Sequence, residues 1–148
     1  MAETFKTATA ARPYVEYMTT PQLDMIGLIA DDLTATLAFY RRLGLEFPAG
    51  AENEPHVEAT LPGGIRIAWD PVATIRSFDP DFEPTRGGGR IGLAFKCADA
   101  SAVDATYAEF VADGHRGVRD PWDAPWGQRY ATIEDPDGNT VDLFAWLS

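Results

Sequence analysis

A histidine and a glutamate stand two apart in the stretch HVEATL, His56 and Glu58, and a lone carboxylate, Asp142, sits in the apolar run TVDLFAW. Side chains two apart on a strand share a face, so His56 and Glu58 point away from Val57, Ala59 and Leu61. With Asp142 beside them, they could hold Fe²⁺ or Mn²⁺ as a facial set of His, Glu and Asp. Without a metal they could act as acid and base, Glu58 or Asp142 taking a proton and His56 giving one, because a low-dielectric site raises carboxylate pKa values. Lys96 alternates with Gly92 and Ala94 on the strand face that turns toward these groups, and Arg66 is a candidate for that side too. Basic partners make ordinary charge pairing, in a polar site that orients a ligand, the default expectation.

Two tryptophans add an apolar element. Trp122 and Trp126 lie in DPWDAPWG, where two prolines favour a stiff, extended loop. Such a pair can wall a site for a flat ligand, Trp126 as the main contact and Trp122 as the second, or can cover a strand edge. Trp69 and Trp146 end their strand patterns and are candidates for the lining or rim of the same site. Cys97 closes an apolar run and reads as a buried, inert thiol rather than a nucleophile. His115, in DGHRGV, reads as an exposed loop residue.

The elements that must position these groups follow from the pattern. LDMIGLIA is a short strand, Asp31 or Asp32 can cap a helix with Leu33, Leu37, Tyr40 and Leu43 at helical spacing, and Gly44 stops it. HVEATL and IRIAW form a hairpin around LPGGI. Residues 71 to 89, rich in Pro and Gly, read as an irregular connector. Then the order repeats: the strand GRIGLAFK, a helix capped by Asp99 or Ser101 with Val103, Tyr107, Phe110 and Val111 on its apolar side, a loop holding both tryptophans, and QRYATI and TVDLFAW joined by DPDGN. Period-2 alternation puts Val141, Leu143 and Ala145 against the helix and Thr140, Asp142, Phe144 and Trp146 on the other face. Two such halves, each with one sheet face on its helix, leave their remaining faces to form a cup between them.

The 148 residues, 45% hydrophobic, suffice for one domain with a real core. A net charge of −11 repels phosphate backbones and anionic lipid, so neither nucleic acid nor a membrane is an expected partner. A single cysteine excludes an intrachain disulfide and a thiolate metal cluster and fits the cytoplasm. No apolar run reaches the length of a membrane span, and residues 1 to 22 read as a tail without a signal-peptide core.

The duplicated order, the helix end AFYRRLGLEF and the closing PWGQRYATIEDPDGNTVDL resemble the vicinal oxygen chelate superfamily, the glyoxalase and bleomycin-resistance group. The resemblance covers residues 23 to 148. It implies two paired βαβββ modules, about 23–70 and 88–148, in an α+β domain whose curved mixed sheet surrounds a cup. In metal-using relatives a His or Gln on the first strand of each half and a Glu on the last strand hold the ion. Those positions fall on Met25, Gly92 and Asp142, and a fourth falls near Arg66 or Ile67. Met25 and Gly92 cannot ligate a hard or borderline cation, and one carboxylate is not a metal site. The resemblance therefore implies the metal-free, small-molecule-binding branch, with no cofactor, commonly as a homodimer. The expected ligand-binding residues are Trp126, Trp122, Asp142, Glu58, His56, Lys96, Met25 and Trp69. The alternative is a lyase, epimerase or dioxygenase-like enzyme using a divalent ion at an unusual site or a metal-free acid and base. Whether any reaction is catalysed stays open at this point.

Overall fold

Local signals in the chain place the two long helices and most of the strands of the computed structural model, which describes residues 21–88 and 90–148; the strand expected over GRIGLAFK is shorter, starting only at Leu93. The expected tail, residues 1–22, falls almost wholly outside that range. Strand β1 (Met25–Ala30) runs into helix α1 (Leu33–Arg42). Asp32 caps that helix, its carboxylate accepting from the Ala35 N–H at 3.2 Å. Hairpin strands β2 (Val57–Thr60) and β3 (Arg66–Pro71) follow a loop holding a 3₁₀ turn at Ala51–Asn53. The second half contains β4 (Leu93–Lys96), α3 (Ala100–Ala112), β5 (Gly117–Ala124), β6 (Gln128–Glu134) and β7 (Thr140–Trp146). Asp99 caps α3, accepting from the Ala102 N–H and the Ser101 hydroxyl, both at 2.8 Å. Each cap is worth about 1 kcal/mol of helix stability.

The strands form two open sheets with the same wiring, so the class is α+β. The first has the order β1-β3-β2, with β1 parallel to β3. The second has the order β4-β7-β6-β5, with β4 parallel to β7. In both, the last strand lies beside the first. The halves differ in one respect: the second has three strands after its helix and the first only two. Pro48, Gly50 and Pro55 break up the corresponding stretch of the first half, where β5 has a single proline, Pro121, and its one glycine, Gly117, at its first position. β5 is an edge strand with register shifts on either side of Arg119, a setting that tolerates the missing N–H of a proline. The expected tryptophan loop is accordingly a strand and a turn: Trp122 belongs to β5, and Trp126 to the turn before β6. The connector is irregular except at its start, where a short helix, α2 (Val72–Arg76), follows Pro71.

The buried residues of both halves join in one cluster. Leu37, Tyr40, Trp69, Phe110, Ile133 and Leu143 are among its members. On α3 the apolar face is Val103 and Phe110, with Tyr107 half-buried and Val111 exposed. The turn DPDGN does more than reverse the chain. Asp135 accepts from the N–H groups of Asp137 and Asn139 at 2.9 and 2.8 Å, and from the Tyr40 hydroxyl of α1 at 2.8 Å. Asp137 accepts from the Asp31 N–H at 2.9 Å and the Thr36 hydroxyl at 3.2 Å. A turn of the second half thus bonds to the first helix of the first half. Burial and the Asp135 carboxylate together push the Tyr40 hydroxyl pKa far up, so it stays a donor.

Candidate functional site

Each sheet has one face on its helix and one face open. On the second sheet, strand register sets two rows across the open face. Lys96 lies opposite Phe144, Phe144 opposite Tyr130, and Tyr130 opposite Trp122. The adjacent row is Ala94, Asp142, Thr132 and Arg119. One row is therefore cation and three aromatics, and the other is centred on a carboxylate.

Side-chain contacts join the rows. Trp126 meets Trp122 and Tyr130 edge-on, each with ring centroids 5.4 Å apart. Its indole N–H donates to Gln128 Oε1 at 2.8 Å, which fixes the ring although it is 51% exposed. Arg119 lies over the Trp122 ring, 3.9 Å from its centroid. The Tyr130 hydroxyl donates to Asp142 Oδ2 at 2.6 Å, and the Thr132 hydroxyl to Asp142 Oδ1 at 2.7 Å. Burial, with Asp142 second, raises the Tyr130 pKa to about 12. Tyr130 is therefore a donor, and Asp142 is oriented by two hydroxyls. Trp122 Nε1 is buried without an acceptor, as a ring wedged under its neighbours would be.

The open face of the first sheet holds a chain of charges. His56 Nδ1 lies 2.6 Å from Asp70 Oδ1, and Nε2 lies 3.0 Å from Glu58 Oε2. Arg66 donates to the same Glu58 oxygen at 2.8 Å and to Asp24 at 2.5 Å. The hydrogen bond to Glu58 first, and that to Asp70 next, raise the His56 pKa; His56 in turn is the main cause of the lowered Glu58 pKa. Of the charge-paired cluster expected from His56, Glu58, Asp142, Lys96 and Arg66, only His56, Glu58 and Arg66 are joined here, and Asp70 joins them.

The geometry does not gather all the predicted residues. His56, Glu58 and Met25 are on the first sheet, Asp142, Lys96 and Trp122 on the second, with Trp126 beside the latter. Asp142 shares no hydrogen bond with His56 or Glu58, so within one chain the imagined His, Glu and Asp set divides into two clusters. Trp69 is a correction. It is 0% exposed on the helix side of β3, tilted against Tyr40 and edge-on to Phe47, so it lines no ligand site. Alternation with Ile67, another core residue, could have shown this. A cavity of about 430 Å³ opens between elements of both halves, β1, the connector and the β6–β7 turn, lined by Ile26, Phe82, Arg86, Ile91 and Asp137 among others. None of the eight predicted residues borders it.

His115 is also displaced from its expected role. It is half-buried, edge-on to Phe39 at 5.0 Å, and burial lowers its pKa. Cys97 is half-buried beside the core, and burial raises its thiol pKa, which suits an inert thiol. Tyr130, Thr132, Phe144, Arg119 and Asp70 were missed as site residues. Carrying the two-residue period of TVDLFAW across the hairpin to QRYATI would have found the first two.

The family model described as the glyoxalase/bleomycin resistance protein/dioxygenase superfamily matches residues 22–143. The chain belongs to that superfamily. Many solved structures share the superfamily fold. One is a superfamily enzyme from Burkholderia phytofirmans PsJN, with a TM-score of 0.69 at 18% identity, covering 86% of this chain and 100% of that one. Another is a glyoxalase-related enzyme from Fulvimarina pelagi, 0.69 at 23%, covering 85% and 88%. A lactoylglutathione lyase from Agrobacterium tumefaciens gives 0.59 at 26%, covering 85% and 94%. No curated protein matches by sequence.

Metal-using members of the superfamily raise the question of whether these residues fit an ion. They do not. Met25 lies on the open face of β1 opposite Arg66, so a thioether and a guanidinium occupy two of the ligand positions. The other candidate for the second of these, Ile67, is buried in the core. Beside Asp142 a Cβ at Gly92 would come within 3.9 Å of Oδ2, yet glycine offers no donor there. Both His56 ring nitrogens already face carboxylates from opposite sides, which leaves no shared direction for a cation. Among the described residues no three His, Cys, Asp or Glu side chains are grouped so as to hold one.

Proposed function

We propose that this superfamily member binds a flat, partly apolar organic molecule on the open face of its second sheet, using protein side chains alone. The observation that carries the reading is the continuous contact from Trp122 through Trp126 and Tyr130 to Asp142. Flat rings gain from edge and face contacts with such a set, and the hydroxyl-bound carboxylate gives the surface a polar point of orientation. The exposed Trp126 and Trp146, at 51% and 59%, leave apolar surface available on that side of the molecule. Self-association as a homodimer belongs to the same proposal, since neither open sheet face has a cover among the described residues.

Acid–base catalysis by His56, Glu58, Lys96 and Asp142 acting together is less well supported. The first two are on one sheet and the last two on the other.

The test is tryptophan fluorescence titration with a panel of planar organic molecules. Trp126→Ala should weaken any ligand found by about 3- to 10-fold, the worth of one aromatic contact. Its melting temperature should stay close to the parent's, because the ring sits in a turn outside the core. Unchanged affinity, or an unfolded variant, would place the site elsewhere.

A further inference from the structure

The ten described Lys and Arg side chains divide unevenly. Arg41, Arg42, Arg66, Arg76, Arg86, Arg116 and Arg129 all pair with carboxylates. Among the described residues only Arg90, Lys96 and Arg119 have no such partner. In a chain of net charge −11, where carboxylates outnumber cations, an unpaired cation is unusual. Lys96 and Arg119 both lie on the open face of the second sheet, in the two rows built above.

Their settings differ. Arg119 is engaged with the Trp122 ring. Lys96 ends the aromatic row with its ammonium uncommitted, opposite Phe144 and exposed. The carboxylates on this face are already occupied: Asp142 accepts from Tyr130 and Thr132, and Glu134 faces Arg116 at 3.6 Å. A ligand laid along the row from Trp122 to Lys96 crosses three strand spacings, about 14 Å. It would meet rings for most of that length and a free positive charge at the end.

We infer that the ligand is a flat organic anion, an aromatic carboxylate or its equivalent, lying across the strands with its rings on Tyr130, Phe144 and Trp126 and its anionic group at Lys96. This rests on the binding reading above and adds the sign of charge. Against a net charge of −11, an anion needs a cation that no carboxylate of the chain already holds, and Lys96 on this face is one, with Arg119 in the next row.

The experiment compares 2-naphthoate, neutral 2-naphthamide and cationic 2-naphthylmethylammonium by fluorescence titration at low and moderate salt. Naphthoate should bind about 10-fold tighter than the amide, and the margin should shrink as salt screens the charge. Lys96→Gln should reduce naphthoate to the level of the amide, Lys96→Arg should keep the preference, and Arg76→Gln, remote on α2, should keep it too. Equal binding of the three probes, or a preference for the cation, overturns this inference while leaving the aromatic site in place. If none of the three binds, the aromatic site itself fails, and the inference fails with it.

Discussion

At the scale of single residues, the two histidines are a matched pair of opposites. His56 stands between Glu58 and Asp70, which raise its pKa above 6.5. His115 is packed on Phe39 and Phe110, and burial lowers its value below 6.5. For His56 the attraction to its carboxylates stabilises the fold fully below 6.5 and is lost as pH rises through the folded value. For His115 the sign reverses. The packing of its neutral ring counts fully above 6.5 and is lost as pH falls through its folded value. Ring-proton NMR titration should therefore give two separate midpoints, one on each side of 6.5, and Asp70→Asn should lower only the higher. Coincident midpoints near 6.5 would mean that neither environment is as described.

At the scale of elements, the decisive feature of the second half is how closely α3 lies on β5. A Cβ at Gly117 would fall 2.1 Å from Tyr107 Oη and 2.8 Å from its Cζ, so only glycine lets the strand pass under that ring. The Tyr107 hydroxyl donates across the contact to Asp120 at 2.7 Å. Gly117→Ala should displace the ring, break that bond and destabilise the domain by about 1–3 kcal/mol, the usual cost of overpacking. Urea unfolding measures it, and a midpoint equal to the parent's would show that the ring swings aside freely. Because β5 carries Arg119 and Trp122, the same variant should also disturb ligand binding. The helix-side contact and the open-face site are thus two sides of one strand.

At the scale of the whole molecule, the two open faces belong to different sheets, and nothing among the described residues covers either. The sheets have free edges at β1, β2, β4 and β5, which a second copy or a ligand can shield. We expect a symmetric dimer, with a light-scattering mass twice the chain's 16.2 kDa at micromolar concentration. A mass of one chain throughout that range would leave the second-sheet face to act alone.

Much of this was legible in the residues. Apolar period and cap residues fixed both long helices: Asp32 and Asp99 cap them, as acids just ahead of a helical pattern should. The hairpin LPGGI, the turn DPDGN and the placing of Asp142 opposite the core face followed from strand alternation and turn chemistry, which act over a few residues. The motifs also carried the family. What alternation could not tell was which partners those faces meet. Trp122 became part of a strand because its proline lies at an edge, and a sequence does not label its edges. The rows of Lys96, Phe144, Tyr130 and Trp122 come from register between strands up to about 48 residues apart in the chain. The link from Tyr40 to Asp135 spans 95 residues. Short-range chemistry was determined by the sequence alone; which groups meet across the sheets was decided by the fold, because contact at that range depends on how every intervening element packs.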